Sequence, residues 1–262
     1  MTDNKTKTKK LIRTDYVFSA SESGKKLTSP VRLAFLSDLH CEDYGPGQAP
    51  LMDLIKAFSP HAVLIGGDAY DERRGWEKAT ETISLCAQNW KTFYTPGNHE
   101  VKTKALDKCK EDARQAGAVL LAGGSVLLPG DDGTDALLLC GAEDPLKHED
   151  EHKEQMLACA DACQAHPDLF SVLMTHRPER ADEYKASPAD LILTGHAHGG
   201  QWILPGIPNG VYGPDQGIFP KYASGEFRFR SNRMIVSRGL GNVTHVPRFG
   251  NPPELVCVTI VP

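Results

Sequence analysis

Five short apolar segments of this 262-residue chain end in side chains that can bind a metal ion. Each segment has the length and the apolar content of a buried strand. They cover residues 31–36, 62–65, 92–94, 170–174 and 190–193. The side chains that follow them are Asp38 and His40, Asp68 and Asp71, Asn98 and His99, His176, and His196 and His198. Turn chemistry explains any one of these residues, but five in succession indicate one shared site.

The order of the segments predicts an α/β fold. Strands alternate with amphipathic helices at residues 51–58, 77–88 and 103–116, and a charged helix follows at 149–164. Later strands that short turns connect favour a second, partly antiparallel set. Because ligands bind beyond the carboxyl ends of strands in open α/β sheets, we expect the five motifs to meet there.

Length and composition set further bounds. We predict a single domain over residues 1–262, in which residues 1–13 form a flexible tail. This lysine-rich tail lacks the apolar core of a secretory signal, and no apolar run approaches the roughly 20 residues of a membrane span. A solvated tail is favoured over a polybasic, peripheral contact with a membrane. The net charge of −5 argues against a dedicated nucleic-acid partner.

The cysteines indicate the redox compartment. There are seven, an odd number, and none forms a Cys-x-x-Cys pair. This usage predicts reduced thiols and a cytoplasmic location.

The ligand types constrain the metal. Neutral imidazoles, carboxylates and one amide suit first-row ions such as Mn, Fe, Zn or Co. No cysteine occurs in the five motifs, which argues against a structural zinc site. The ligands are too many for one ion, and two ions would need a bridging carboxylate.

The five motifs, in this order, resemble those of the calcineurin-like metallophosphoesterase family. The matching segments span about residues 31–200 and are Asp38-Leu39-His40, Gly67-Asp68-Ala69-Tyr70-Asp71, Gly97-Asn98-His99-Glu100, His176 and Gly195-His196-Ala197-His198. The resemblance implies two packed mixed β-sheets flanked by helices, a four-layer αββα sandwich. It also implies two divalent or trivalent transition-metal ions, with Mn, Fe or Zn favoured.

A narrower likeness concerns residues 195–201, with the pattern Gly-His-x-His-Gly-Gly-Gln. It resembles a bacterial branch of the family that includes membrane-associated phosphodiesterases. Residues 236–241 and 252–254 are similar to segments of the same branch. Many members carry an N-terminal span or a twin-arginine signal that this chain lacks, so a membrane location is not favoured.

The family resemblance implies a role for each motif residue. Asp68 would bridge the two ions, and a hydroxide shared by them would attack phosphorus. His99 would protonate or hydrogen-bond the leaving oxygen, and Asp71 would orient His99 and favour its protonated form. One ion would be held by Asp38, His40 and His198, and the other by Asn98, His176 and His196.

Two features leave the substrate open. Arg177 directly follows His176 and either contacts a phosphate or is a surface arginine. The loop at residues 202–230 interleaves aromatic residues with cations. It suits a nucleotide base, a lipid head group or a nucleic-acid backbone, or else packs on its own sheet.

The sequence therefore predicts a hydrolase of phosphoester bonds, a phosphodiesterase or a phosphomonoesterase. Its substrate would be a small molecule, a nucleotide or a lipid. One alternative is a pyrophosphatase that acts on a nucleotide-linked lipid or sugar. The other is a metal-bound scaffold without turnover.

Overall fold

The computed structural model describes residues 10–207, 209–242 and 247–262, and two six-stranded sheets form its centre. The strands of the two sheets and of one small hairpin are β1 (Ile12–Ser19), β2 (Val31–Leu36), β3 (Ala62–Gly66), β4 (Lys91–Thr95), β5 (Val119–Leu120), β6 (Ser125–Pro129), β7 (Asp135–Gly141), β8 (Phe170–Met174), β9 (Leu191–Thr194), β10 (Tyr212–Gly213), β11 (Gly217–Ile218), β12 (Gly225–Arg228), β13 (Arg233–Val236) and β14 (Glu254–Val261). The helices are α1 (Ala49–Phe58), α2 (Glu77–Asn89), α3 (Asn98–Lys102), α4 (Leu106–Gln115), α5 (Glu149–Ala165) and α6 (Ala181–Ala186).

Both large sheets are mixed and have a parallel centre. The first sheet has the order β1-β14-β2-β3-β4-β5, and only the pairing of β14 with β2 is antiparallel. The second has the order β12-β13-β9-β8-β7-β6, with antiparallel pairs at its two edges. The carboxyl ends of the parallel strands β2 to β5 therefore lie at one end of the first sheet, and those of β7, β8, β9 and β13 lie at one end of the second.

The sheets pack face to face because side chains alternate along each strand. In β2, Phe35 joins the apolar core between the sheets, whereas Leu36 faces a second core beneath α1, α2 and α4. In β9, Leu193 joins the shared core, whereas Ile192 faces a third core beneath α5 and α6. Three apolar layers thus separate four structural layers, and the predicted αββα sandwich is confirmed.

The first strand begins inside the predicted tail. Strand β1 starts at Ile12 and pairs in parallel with the C-terminal strand, with Ile12 opposite Glu254. The assignment of residues 12 and 13 to a tail was therefore wrong, since a partner at the other end of the chain leaves no local signal. Residues 1–9 of that tail lie outside the described residues.

The helix after β4 also differs from the expectation. The sequence predicts a helix at residues 103–116, and α4 covers most of that range. A separate short helix, α3, begins within the motif itself, at Asn98. The site residues Asn98 and His99 therefore lie in the first turn of a helix rather than between a strand and the predicted helix.

The aromatic residues of the 202–230 loop divide into two groups. Phe227 and Phe229 pack edge-on against Tyr222 and join the core beneath α6. Tyr212 and Phe219, in and beside the β10–β11 hairpin, are 53% and 62% exposed. Part of this loop therefore packs on its own sheet, and the hairpin presents its aromatic rings outward.

All seven cysteines are free and buried. Cys41, which follows a predicted metal ligand, is one of them, and burial raises the pKa of its thiol to about 11. No helix within the described residues combines the length and the apolar character needed to cross a membrane.

Candidate metal centre

The side chains predicted to bind metal meet where the two sheets face each other. Strands β2, β3 and β4 of the first sheet and β8 and β9 of the second all end there. Within the described part of the chain, three buried groups each bring their ligand atoms within 4.8 Å of one another. Two of them share no residue, and we call them the first and the second cluster. The first is Asp38, His40 and His198, and the second is Asp68, His176 and His196. The third group joins His40 and Asp68, one residue of each cluster, to His99.

Asp68 lies between the two clusters. Its Oδ2 is 3.2 Å from His176 Nε2 in the second cluster and 3.7 Å from His40 Nε2 in the first. In the first cluster, Asp38 Oδ1 is 3.6 Å from His198 Nε2. A single carboxylate therefore faces ligand atoms of both groups.

The amide of Asn98 completes the second cluster. One of its terminal atoms lies 3.3 Å from Asp68 Oδ2, 3.1 Å from His176 Nε2 and 2.8 Å from His196 Nδ1. With nitrogen there, the amide donates hydrogen bonds, and its oxygen accepts one from Lys102 Nζ at 2.6 Å. When the amide oxygen occupies this position instead, it meets Asp68 Oδ2, His176 Nε2 and His196 Nδ1. Four atoms with lone pairs then converge, which is the environment that a cation requires.

In three histidines, the ring nitrogen that points away from the clusters donates a hydrogen bond. These bonds decide which ring nitrogen carries the proton. Nδ1–H of His40 donates to Asp71 at 3.0 Å, and Nδ1–H of His176 donates to the Gly66 carbonyl at 3.0 Å. Nε2–H of His196 donates to Asp215 at 3.0 Å. Metal-binding histidines characteristically donate their second N–H in this way. The remaining nitrogens face the clusters, where each could offer its lone pair to an ion.

The residues present fit the binding of metal ions. His40 Nε2 is buried and has no hydrogen-bond partner among the described residues, although a buried polar atom normally has one. Burial lowers the pKa of His176, but the Asp68 carboxylate outweighs burial and raises it to about 10. The local field thus favours positive charge, and oxygen and nitrogen donors suit first-row ions.

Several of these residues have an unusual backbone. Asp38, His40, Asp68, His196 and His198 all have φ between 46° and 64°, in the left-handed region. Such conformations cost on the order of 1 kcal/mol or more each, and they cluster at functional sites. This backbone conformation orients the side chains toward the clusters, and it costs folding free energy. Its presence at five site residues supports a functional role.

Two glycines allow the backbone to approach the carboxylates closely. A Cβ at Gly97 would overlap the carboxylate and the amide nitrogen of Asp68. A Cβ at Gly239, where φ is 73°, would contact the Asp38 side chain. Gly239 belongs to the segment 236–241, so this segment supports the first cluster.

His99 lies beside the clusters and is held mainly by Glu72. Its Nδ1–H donates to Glu72 Oε2 at 2.7 Å, whereas Asp71 Oδ2 is 3.7 Å away. Asp71 instead bonds His40 and the guanidinium of Arg73. Burial lowers the pKa of His99 despite the nearby carboxylates. The expectation that Asp71 orients His99 and favours its protonated form therefore differs from the observed contacts.

Arg177 is not a surface arginine, and ion pairs hold its side chain in place. Its side chain is 13% exposed, and its guanidinium bonds three carboxylates, with Asp144 at 2.6 Å, Asp215 at 2.7 Å and Glu179 at 3.4 Å. The cations that line the cavity over the clusters are instead Arg73 and Lys102. This cavity has a volume of about 500 Å³, which suits a small-molecule group.

A sequence profile described as "Calcineurin-like phosphoesterase" matches residues 31–200, more than half of the chain. The chain belongs to this family. Membership makes it a hydrolase of phosphoesters, and the metal dependence of the family agrees with the two clusters.

Comparisons with individual proteins agree with this family. Phosphodiesterase YaeI of Escherichia coli (strain K12) is 24% identical over 248 residues, which cover 90% of this chain and 84% of YaeI. UDP-2,3-diacylglucosamine pyrophosphatase LpxG of Chlamydia muridarum (strain MoPn / Nigg) is 33% identical over 100 residues, but these cover only 35% of this chain and 29% of LpxG.

Solved structures share the fold, and one of them illustrates the match. TT1561 of Thermus thermophilus superposes with a TM-score of 0.50 at 10% identity, and the match covers 80% of this chain and 90% of TT1561.

Sequence reasoning missed several residues at the site of this phosphoesterase. Glu100 is buried, and it accepts hydrogen bonds from the backbone N–H groups of Gly97, Asp68 and Tyr70. Burial and the nearby Asp68 raise its pKa to about 7. A glutamate three residues after a helix N-cap is a capping-box signal that could have indicated this role. Glu72 and Asp215 left no such signal.

Proposed function

We propose that this chain hydrolyses phosphoester bonds with a centre of two transition-metal ions, with Mn, Fe or Zn favoured. The observation that carries the proposal is the Asp68 carboxylate, which faces ligand atoms of both clusters. Asp38, His40 and His198 would hold one ion, and Asn98, His176 and His196 the other. When bound, the ions would supply an activated hydroxide and offset charge on the phosphoryl oxygens.

The protein residues around the clusters then have separate tasks. His99 lines the cavity, and in its imidazolium form, with Nδ1–H on Glu72, it would donate the Nε2 proton to the leaving oxygen. Its backbone N–H donates to Asp68 Oδ1 at 2.7 Å, which fixes it beside the proposed bridging carboxylate. Glu72 orients the imidazole through Nδ1. Asp71 is better placed to orient the ligand His40.

Exchanging the two neighbouring carboxylates for amides separates these tasks. We expect Asp71→Asn to weaken metal binding by up to about 10-fold, because its amide oxygen can still accept from His40 but the carboxylate charge that makes this ligand more basic is lost. We expect Glu72→Gln to keep both ions and to lower kcat, because the Glu72 carboxylate contacts His99 and Arg73, neither of which is a proposed ligand. Metal content by mass spectrometry and kcat at saturating metal measure both effects. Loss of metal in Glu72→Gln, with full occupancy in Asp71→Asn, would reverse the assignment.

A pyrophosphatase activity is the second candidate. Arg73 and Lys102 line the same cavity as His99 and His198, so two cations lie beside the clusters. They would offset the charge of a second phosphate, which a simple ester lacks. The similarity to the pyrophosphatase LpxG over 100 residues also supports this candidate.

Lys102→Met tests the second candidate. A hydrogen bond to a charged group contributes about 1.5–3 kcal/mol, so we expect kcat/KM to fall about 10–100-fold for a pyrophosphate-linked nucleotide. The loss should be smaller for a monoester. Lys153→Met is the control, since Lys153 is an exposed cation on α5. Equal losses for both substrates would argue against a second phosphate at Lys102.

A substrate panel decides between the proposed activities. The metal-free protein is reconstituted with Mn²⁺, Fe²⁺ or Zn²⁺ and assayed on a phosphate monoester, the matching diester and a pyrophosphate-linked nucleotide. Turnover of any of these substrates supports a hydrolase. The preferred substrate shows whether it is a phosphomonoesterase, a phosphodiesterase or a pyrophosphatase. Two bound ions without turnover on any substrate would favour the scaffold alternative.

We also propose a cytoplasmic location. Support comes from the seven cysteines, all of which are free and buried, since disulfides are rare in reducing compartments. Cell fractionation tests this location, and recovery with membranes would instead indicate a peripheral contact.

A further inference from the structure

We propose that Asp215, in the β10–β11 hairpin, is a positioning residue of the metal centre. Its carboxylate fixes His196 in the tautomer whose Nδ1 is free to bind an ion. This inference rests on the proposed function, since His196 is a proposed ligand. It gives the hairpin of the 202–230 loop a task that its sequence did not reveal.

The geometry around His196 supports this role. Nε2 lies 3.0 Å from Asp215 Oδ2, while Nδ1 lies 2.8 Å from the amide of Asn98, inside the second cluster. A neutral imidazole carries one N–H, and an ionised carboxylate only accepts hydrogen bonds. The proton therefore resides on Nε2, and Nδ1 presents its lone pair to the cluster. Such outer carboxylates also make a histidine ligand more basic.

Asp215 is itself held in place. The same Oδ2 accepts a hydrogen bond from Nη1 of Arg177 at 2.7 Å, and Nε of Arg177 donates to Asp144 at 2.6 Å. This chain of contacts ties the hairpin to an arginine with little exposure, directly after the proposed ligand His176. It also gives Arg177 a task that needs no contact with substrate.

No other acidic residue among those described bonds the outer nitrogen of His196. Glu179 Oε1 is 3.8 Å from Nε2, beyond hydrogen-bond distance. The hairpin approaches the centre through its backbone as well, because Val211 N–H donates to the Gly200 carbonyl at 2.9 Å, two residues after His198. Asp215 is half-exposed, with 55% of its side chain accessible, so its replacement leaves the apolar cores intact.

Titration of the metal-free protein with Mn²⁺ by calorimetry tests the role. We expect Asp215→Ala to weaken one of two binding events by about 10–100-fold. Asp215→Asn should have a smaller effect, because its amide oxygen can still accept the hydrogen bond. Asp182→Ala is the control, since it removes an exposed carboxylate of α6 that pairs with Lys185. Unchanged Mn²⁺ affinity in Asp215→Ala would overturn the inference.

The tautomer of His196 gives a second readout that needs neither metal nor substrate. Long-range ¹H–¹⁵N NMR spectra of the metal-free protein should show the Nε2–H form in the wild type and a mixture of tautomers in Asp215→Ala. An unchanged tautomer with a lowered Tm would show a merely structural residue and would refute the proposal. If the wild type binds no Mn²⁺, the proposed function fails, and the tautomer alone decides whether Asp215 fixes His196.

Discussion

Asp68→Ala is expected to abolish the loading of two metal ions and to lower kcat/KM by at least about 10³-fold, or about 4 kcal/mol. Asp68 is the carboxylate, among the described residues, that faces ligand atoms of both clusters. Without it, two cations would be held close together with no anion between them. The variant also loses the acceptor for the His99 backbone N–H. Metal content per chain and steady-state kinetics measure the two effects.

Asp182→Ala serves as the matched control for Asp68→Ala, because it removes an exposed carboxylate that pairs with Lys185. Circular dichroism of both metal-free variants checks that the fold is kept. Two ions per chain in a folded Asp68→Ala protein would contradict the bridging role. Normal turnover with a single ion would contradict the two-metal proposal.

The second large effect is expected from His99→Ala. This variant should keep both ions, since the two clusters form without the His99 side chain. Its kcat should fall about 10²–10⁴-fold, or roughly 3–5 kcal/mol, the usual contribution of general acid catalysis. Metal analysis and kcat on an alkyl phosphoester measure the two quantities.

The identity of the leaving group sharpens the test of His99. A good leaving group such as p-nitrophenol needs little proton donation, so its hydrolysis should suffer much less from His99→Ala than hydrolysis of an alkyl ester. Equal losses for both leaving groups would argue against proton donation. Loss of metal that accounts for the whole decrease would remove His99 from the chemistry.

The position of the candidate site was predictable from the sequence, because it depends on regular structure. Apolar runs predict buried strands, and neighbouring parallel strands place their carboxyl ends at the same end of the sheet. Asp38, Asp68 and Asn98 follow β2, β3 and β4, so the fold alone brings them together. Their order in the chain was sufficient for this prediction.

The hydrogen bonds of the carboxylates that surround the clusters were not predictable in the same way. Asp71 and Glu72 are neighbours in the chain, yet one bonds His40 and the other His99. Which carboxylate reaches which imidazole depends on the path of the loop after Asp68, a residue with left-handed backbone. Asp215 lies in a loop without periodicity, where sequence patterns carry no information about direction.

Strand β1 shows the same limit for the fold. Residues 12 and 13 lie next to a lysine-rich segment, and their composition is typical of a tail. Pairing with β14 places them in the first sheet. Local composition does not show that the last strand of the chain is available as a partner, so this boundary could not be predicted.

The division of the clusters between the sheets has a consequence for stability. Asp38, His40, Asp68 and Asn98 follow strands of the first sheet, while His176, His196 and His198 follow strands of the second. Ions bound here would cross-link the two halves of the sandwich, so metal occupancy and folding would be thermodynamically linked. At a free metal concentration 100 times Kd, such an ion adds about 2.7 kcal/mol to the free energy of unfolding. The catalytic centre would then also act as a clamp between the sheets.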